Sequence, residues 1–470
     1  MTWPAILLWV LIAYGAVSRG PSIIYLFSIS TIFGDLTLLP LSLTGGFNLP
    51  AQTVCAVVLI TKTILPLRGR NAFMNMALDM RRLGILSIFS IYAILTAFLL
   101  PRLFAGDVMV YSLNAAGSES PLHPTSANFS QPVYLIISVL MLFSFAIRAK
   151  DHEFLKTYIR SILVAAVLLA VSGVMDLALN DVGLSALLAP VHNGGYNLLA
   201  GATIAGQTRV TGFMSEASVF GEACCCTLSF LMFNFSYFEQ RMRVAVVLPL
   251  IFILFTLTFL STSSTGYVGL IAILSIQALR SVMAFLFVGE RHRISVRRLA
   301  ILIGASLLVV GVSVSVYQSQ LAHYQQLLNA VLFQKTASDS YIERTSWTAA
   351  GMAAFLATHG IGVGIGSVRT SNWFVNILAS TGVIGVGLII LLVLSIIWPS
   401  QKRISNENQR LTSGLKWCLI PVAVMISLSG TTPDPGVWIT TILGLLYALK
   451  SEVDVPAKEI RNSRALNHAL

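Results

Sequence analysis

The chemistry open to this chain lies in a few polar stretches, because the runs between them are almost uninterruptedly apolar. The first stretch reads Gln207-Thr208-Arg209-Val210-Thr211-Gly212-Phe213-Met214-Ser215-Glu216-Ala217-Ser218-Val219-Phe220-Gly221-Glu222 and leads directly into an apolar segment. If it is helical, Arg209 and Glu216 stand seven residues apart on one face. Gly212 and Gly221 allow close approach of a backbone or a ligand. An ionisable side chain costs about 2.5–3.5 kcal/mol at a membrane centre and less near the ends, and such residues mark functional sites. Glu216 and Glu222 are therefore placed near the outer end of a span. Two roles are open to Glu216: salt-bridge partner of Arg209, or acceptor of a proton from a substrate hydroxyl.

The second stretch, Ser261-Thr262-Ser263-Ser264-Thr265-Gly266, closes a tight turn between two apolar runs. Its hydroxyls can bind sugar or phosphate oxygens, since each both donates and accepts, or they can cap the following helix. The third runs Asp339-Ser340-Tyr341-Ile342-Glu343-Arg344-Thr345-Ser346-Trp347 and then Gly360-Ile361-Gly362-Val363-Gly364-Ile365-Gly366-Ser367-Val368-Arg369-Thr370-Ser371-Asn372-Trp373. Alternating glycines suggest a dinucleotide fingerprint, but no strand–helix unit precedes them. The segment reads better as a flexible wrap around an anion, its backbone N–H groups forming part of the cradle and Arg369 closing it. Arg209, Arg344 and Arg369 are expected to converge on one face. A guanidinium is a planar fork suited to phosphate, and three of them suit a diphosphate carried by a lipid. His192, His323 and His359 fall in the same set of connectors, but no spacing ties them to this site. Asp434, in the turn Gly430-Thr431-Thr432-Pro433-Asp434-Pro435-Gly436, reads as a turn residue, and Asp35 has no evident role.

These residues need a scaffold, and the composition says which kind. The 470 residues are 56% hydrophobic and 10% charged, against about 25% charged in soluble domains. The solvent is therefore lipid, and the expected fold is all-α: a polytopic transmembrane bundle of about thirteen helices. Runs able to cross ~30 Å of hydrocarbon fall near 3–18, 22–41, 50–66, 83–100, 132–147, 159–177, 217–237, 244–260, 266–287, 299–317, 373–398, 415–429 and 437–449. The first is expected to be retained, with neither a basic residue before it nor a cleavage site after it. The five cysteines sit in apolar segments and read as buried thiols. The net charge of +11 would point to nucleic acid in a soluble protein. Here it points to connectors facing anionic lipid, with no nucleic-acid partner.

Connectors rich in Lys and Arg alternate with poor ones, which places the rich set in the cytoplasm. Only Arg102, Arg209, Lys335, Arg344 and Arg369 then lie outside, with Lys62 near the inner end of its helix. The alternation also requires that 346–372 not cross, so it is read as a re-entrant or surface element. The expected organisation is one domain over 1–450, outer loops at 101–131, 178–216 and 318–372, and a cytoplasmic tail over 451–470.

The motifs resemble those of the O-antigen polymerase and ligase superfamily of bacterial envelopes. The matching elements, in order, are R-x-x-G-F-x-x-E-x-S from Arg209 to Ser218, Ser264-Thr265-Gly266, Arg344-x-x-Trp347, the alternating glycines, and Gly382-Val383-Ile384-Gly385. They cover roughly 200–400. The resemblance implies a membrane glycosyltransferase of the C type in the bacterial inner membrane, with its active site facing the periplasm. It implies a glycan on undecaprenyl diphosphate as substrate, no cofactor and no metal, and chain-length regulator and flippase proteins as partners. Ligases of this superfamily carry a histidine after the glycines. Ser371-Asn372 stand there in this chain, which favours a polymerase of O-antigen, capsule or exopolysaccharide over a ligase. On this reading Glu216, Arg209, Arg344 and Arg369 are catalytic, and Gly212, Ser218, Thr262, Ser264, Trp347, Gly364, Ser371 and Asn372 contact substrate. A flippase for lipid-linked sugar is the further alternative, and it would line a path across the bilayer with charge.

Overall fold

The computed structural model describes residues 1–40, 42–44, 47–113, 117–194, 203–204, 207–288, 339–398 and 406–451. In chain order its helices are α1 (Trp3–Val17), α2 (Ser22–Ser30), α3 (Ala51–Ile64), α4 (Leu67–Ala77), α5 (Gly84–Leu103), α6 (Ala127–Arg148), α7 (His152–Asp181) and α8 (Ala217–Phe233). They continue with α9 (Gln240–Leu260), α10 (Ser264–Val288), α11 (Asp339–Ala357), α12 (Trp373–Ile397), α13 (Asn406–Ser429) and α14 (Gly436–Ser451). Two small antiparallel pairs, β1 (Met109–Tyr111) with β2 (Glu119–Pro121) and β3 (Thr203–Ile204) with β4 (Gln207–Thr208), decorate the connectors. An all-α membrane bundle is what such composition demands. In lipid each backbone polar group must be satisfied within its own segment.

Seven helices among the described residues (α5, α6, α7, α9, α10, α12 and α13) are long and apolar enough to cross a membrane, and a bent α3–α4 pair would make eight. The chain is thus a membrane protein. The expected thirteen spans are not reached among these residues, and the reasons are local. The run 22–41 is helical only over α2, nine residues or about 14 Å. Beyond it Leu36 and Leu38 are fully buried and Thr37 bridges Pro50, so its hydrophobicity reflects burial in protein rather than contact with lipid. The run 50–66 breaks at Leu65–Pro66 and turns by 97° into α4, where proline cannot donate to the helical ladder. α1, α8 and α14 are apolar but shorter. The expected span 299–317 lies outside the described residues, as do His323, Lys335 and the tail from 452.

Packing closes the bundle through small residues. Gly221 of α8 sits against Gly266 of α10, where a Cβ would stand 3.4 Å from the Gly266 Cα. Gly269 of α10 lies against Cys225 and Met425, joining α8, α10 and α13. Gly444 of α14 lies against the Leu142 carbonyl of α6. All five cysteines are free, four buried and Cys226 half-buried.

The two ends of the bundle differ chemically. At one end, basic side chains donate to helix-terminal carbonyls: Lys62 to Gly15 and Ser18, Arg280 to Phe233, and Lys416 to Ile397. Cations there complement the negative pole of the helix dipole. At the other end, the connectors that the charge alternation grouped together interlock. Arg209 reaches Thr262, the Arg369 N–H donates to the Tyr111 carbonyl, and the Trp373 indole to the Pro433 carbonyl, while Ser138 of α6 donates to Asp434.

α11 and α12 run side by side in the same direction. Trp347 and Thr348 are level with 369–371, Gly351 with Thr370 and Val375, and Gly360 with Val383. The chain therefore descends in α11 and returns through an extended strap, 360–370. It then descends again in α12.

Candidate functional site

The site is built around the loop between β4 and α8. Residues 209–216 are irregular and helix begins only at Ala217, so the expectation that Arg209 and Glu216 share a helical face is corrected. Gly212 takes the left-handed conformation (φ 56°), which interrupts any helix there. The loop is anchored on several sides. Asp176, buried in α7, accepts the N–H groups of Thr211 (2.6 Å) and Gly212 (2.9 Å), and Phe213 stacks on Phe33 at 5.4 Å.

From this loop Arg209 donates through Nε to Thr262 Oγ1 (3.2 Å) and through a terminal nitrogen to the Thr262 carbonyl (3.3 Å). Thr262 is itself left-handed (φ 49°), which turns its carbonyl and hydroxyl toward the same guanidinium. Both readings of the hydroxyl cluster are realised, at different residues. Ser263 Oγ accepts the Gly266 N–H and caps the turn into α10, which Ser264 begins, while Thr262 holds the arginine. Burial lowers the Arg209 pKa, neighbouring Glu216 and Tyr267 raise it, and Arg344 lowers it again. Arg209 and Arg344 are thus close enough to repel. Neither has a carboxylate within ion-pair distance among the described residues.

Arg344 projects from the second turn of α11. Three residues on, the buried Trp347 lies under Arg369, whose Cζ is 4.1 Å from the ring centroid. Cation–π stacking of this kind holds a guanidinium plane without consuming its outward donors. Thr348 ties the two segments together: its hydroxyl donates to the Arg344 carbonyl and accepts the Ser371 N–H. The structure therefore brings the three arginines to one end of the bundle, from three separate elements.

The glycines do something other than cradle an anion. Gly360, Gly362, Gly364 and Gly366 all have positive φ, and the N–H groups of Gly362, Val363 and Gly364 donate to Thr358 Oγ1 and the carbonyls of Ala379 and Ser380. α12 is unwound at Gly382, and the strap supplies the partners its backbone lost: the Val383 N–H donates to the Gly360 carbonyl. A Cβ on Gly364 would stand 2.5 Å from the Thr96 carbonyl of α5. Gly364 thus packs directly against α5. Asn128 donates to the Ile365 carbonyl and Ser367 Oγ, fastening the strap to α6. The strap is a rigid support for Arg369.

Asn372 caps α12 by accepting the Val375 N–H, and the Ser371 hydroxyl reaches the Leu428 carbonyl at 3.4 Å. Both side chains hold structure. Ser218 is half-buried in the first turn of α8. Glu216 is the residue immediately before α8: its carbonyl accepts the Phe220 N–H, while its carboxylate makes no hydrogen bond or ion pair among the described residues. It acts on Arg209 through its field alone. His359 is exposed in the turn ending α11. Asp434 accepts from Ser138 and the Gly436 N–H.

Four groups were not in the expected site. Glu222 accepts from Ser429 Oγ (3.0 Å) and lies within electrostatic reach of Arg344. Asp176 anchors the Arg209 loop, and Asp35 with His192 stands behind it. Asp176 carried a readable signal, an ionisable residue inside an apolar run. The pairing of Asp35 with His192 joins positions 157 apart and carried none. A scan against protein-family models and a search of curated proteins both gave no match to this chain.

Proposed function

We propose that this chain is a polysaccharide polymerase. It transfers a growing glycan from undecaprenyl diphosphate to the end of the next lipid-linked repeat unit, at the periplasmic face of a bacterial inner membrane. The observation that carries the reading is the adjacent pair Arg209 and Arg344, which repel each other and have no carboxylate within ion-pair distance among the described residues, Arg209 being desolvated and hydrogen-bonded to the uncharged Thr262. Partly buried cations without a directly bonded counter-charge are costly, and a lipid diphosphate at the head of the bundle would offset that cost with charge-assisted, bidentate bonds. Arg369, held flat on Trp347, adds a third fork.

In the reaction, the bond from the anomeric carbon to the diphosphate oxygen breaks and a bond to the acceptor hydroxyl forms. The arginines stabilise the charge that grows on the departing diphosphate, and Glu216 takes the hydroxyl proton. The product is a glycan one repeat unit longer, with undecaprenyl diphosphate released.

The test uses liposomes with the purified protein and lipid-linked repeat units. Wild type should build long polymer. Arg209→Ala, Arg344→Ala and Arg369→Ala should each abolish it at normal protein level and insertion, and Lys should restore only part, because it lacks the fork. Full activity in two of the three Ala variants would refute the diphosphate clamp. Lipopolysaccharide core supplied as acceptor separates ligation, and movement of the donor between leaflets separates a flippase.

A further inference from the structure

Asp35 and His192, which the proposed mechanism leaves without a task, meet behind the Arg209 loop. His192 follows a short 3₁₀ turn, Ser185–Val191, and its Nδ1 lies 3.1 Å from Oδ2 of Asp35. Its Nε2 lies 3.1 Å from the Gly212 carbonyl oxygen. A carboxylate and a carbonyl only accept, so the two contacts together require a hydrogen on each ring nitrogen, and a neutral imidazole has one. The network is complete only when the Asp35–His192 pair holds one proton more than a carboxylate beside a neutral ring. Asp35 is only 1% exposed at its side chain and His192 13%, so water is a poor substitute partner for either.

The far side of the same glycine is gripped by Asp176, which accepts the Gly212 N–H. Gly212 is thus held at its carbonyl by His192 and at its N–H by Asp176. Arg209 stands three residues upstream in the same loop. The charged groups around the pair are Asp35 from the α2–α3 connector, Asp176 from α7, and Arg209 and Glu216 from the loop. The N-terminal segment also lies close, with the Thr2 hydroxyl accepting from Asn193.

We infer that Asp35, His192 and Asp176 form a proton-dependent clamp that positions Arg209 for an anionic lipid diphosphate. The inference rests on the reading of Arg209 as a diphosphate ligand. His192 is a positioning residue: loss of the extra proton releases the Gly212 carbonyl, loosens the turn, and lets Arg209 leave the donor.

Two substitutions pull the clamp in opposite directions. Asp35→Asn supplies an amide N–H to Nδ1, so a neutral ring can keep its single hydrogen on Nε2 for Gly212 without any extra proton. His192→Gln carries both its N–H donors on one nitrogen, which cannot span acceptors placed at opposite nitrogens of the ring. The probe is undecaprenyl diphosphate, its affinity measured for the full chain in nanodiscs. Wild type should lose about tenfold or more in affinity between mildly acidic and alkaline pH, because the network needs the extra proton. Asp35→Asn should bind tightly at every pH, and His192→Gln weakly at every pH. Phe33→Ala loosens the same loop by removing the stack on Phe213, and should weaken binding while keeping the pH dependence. A simple structural role would make Asp35→Asn and His192→Gln fail together. Their failing together, or a wild-type profile parallel to that of His192→Gln, overturns the clamp even where polymer forms. The expected profiles without polymer in the liposome assay keep the clamp and remove the polymerase reading. No binding of the diphosphate by wild type overturns both.

Discussion

Gly382→Ala tests the account of the strap directly. Gly382 has φ 63°, and an added Cβ would stand 2.3 Å from the carbonyl oxygens of both Gly360 and Ile361. With ψ −167° Gly382 lies in a region almost confined to glycine, which an L-residue adopts at a cost of about 1–3 kcal/mol. Making room in close-packed backbone adds about 1–3 kcal/mol. The movement needed would also weaken the Val383-to-Gly360 hydrogen bond, now 3.1 Å, worth about 1 kcal/mol. The total is about 3–7 kcal/mol, a large share of the margin of a typical fold. Gly387, in the same helix with nothing within 4 Å of its would-be Cβ, is the control. Gly387→Ala should be neutral or stabilising by up to about 1 kcal/mol, because alanine is the better helix former. Melting of both variants in nanodiscs, followed by tryptophan fluorescence, gives the comparison. Because the strap carries Arg369, Gly382→Ala should also weaken undecaprenyl diphosphate binding before it unfolds the chain. Equal melting temperatures for the two variants would refute the claim that the strap replaces the partners lost at the break in α12.

Two further outcomes follow from single residues. Burial raises the Asp434 carboxyl to about 6, against partial lowering by its bonds to Gly436 and Ser138, so the folded state binds the proton more tightly than the unfolded chain. Stability should be highest below about pH 4 and fall as the pH rises to about 6, by roughly 3 kcal/mol at most. Asp434→Asn, which can still accept from Gly436 and can donate to Ser138, should flatten that slope without lowering stability at pH about 7, and a destabilised variant would count against it. Glu216→Gln should abolish polymer formation while leaving donor affinity and melting temperature unchanged, since the carboxylate has no bonded partner to lose; an active variant would move the proton acceptor to Glu222.

Much of the architecture was legible because its causes are local. Long apolar runs must be helices in lipid, and all seven of the long apolar helices coincide with runs read from the sequence. The grouping of connectors by Lys and Arg content also anticipated which loops interlock, since the same cations that avoid one face close helix C-termini at the other. What composition could not separate is hydrophobicity spent on lipid from hydrophobicity spent on protein. Leu36 and Leu38 look like the middle of a span, yet both are at 0% exposure inside the fold. The break at Leu65–Pro66 had a visible cause in proline, but the 97° turn it permits depends on what α4 packs against.

The site divides along the same line. Arginines read as a set come together because each sits on a connector of the same end, and end-sorting is a sequence property. Their supports are long-range: Asn372 serves a helix cap and Gly364 a helix crossing, and only the fold brings the partners of each together. The alternating glycines looked flexible for the reason that makes them rigid. Positive φ at four alternate positions is open to glycine at little cost, and that backbone lays a strap along an unwound helix where its N–H groups find carbonyls. One arginine therefore stands on a fixed platform, while another hangs from a loop held at Gly212 by His192 and Asp176. A diphosphate that needs both would bind only when the second is clamped, so Arg209, rather than Arg369, is where the binding strength of such a site can be regulated.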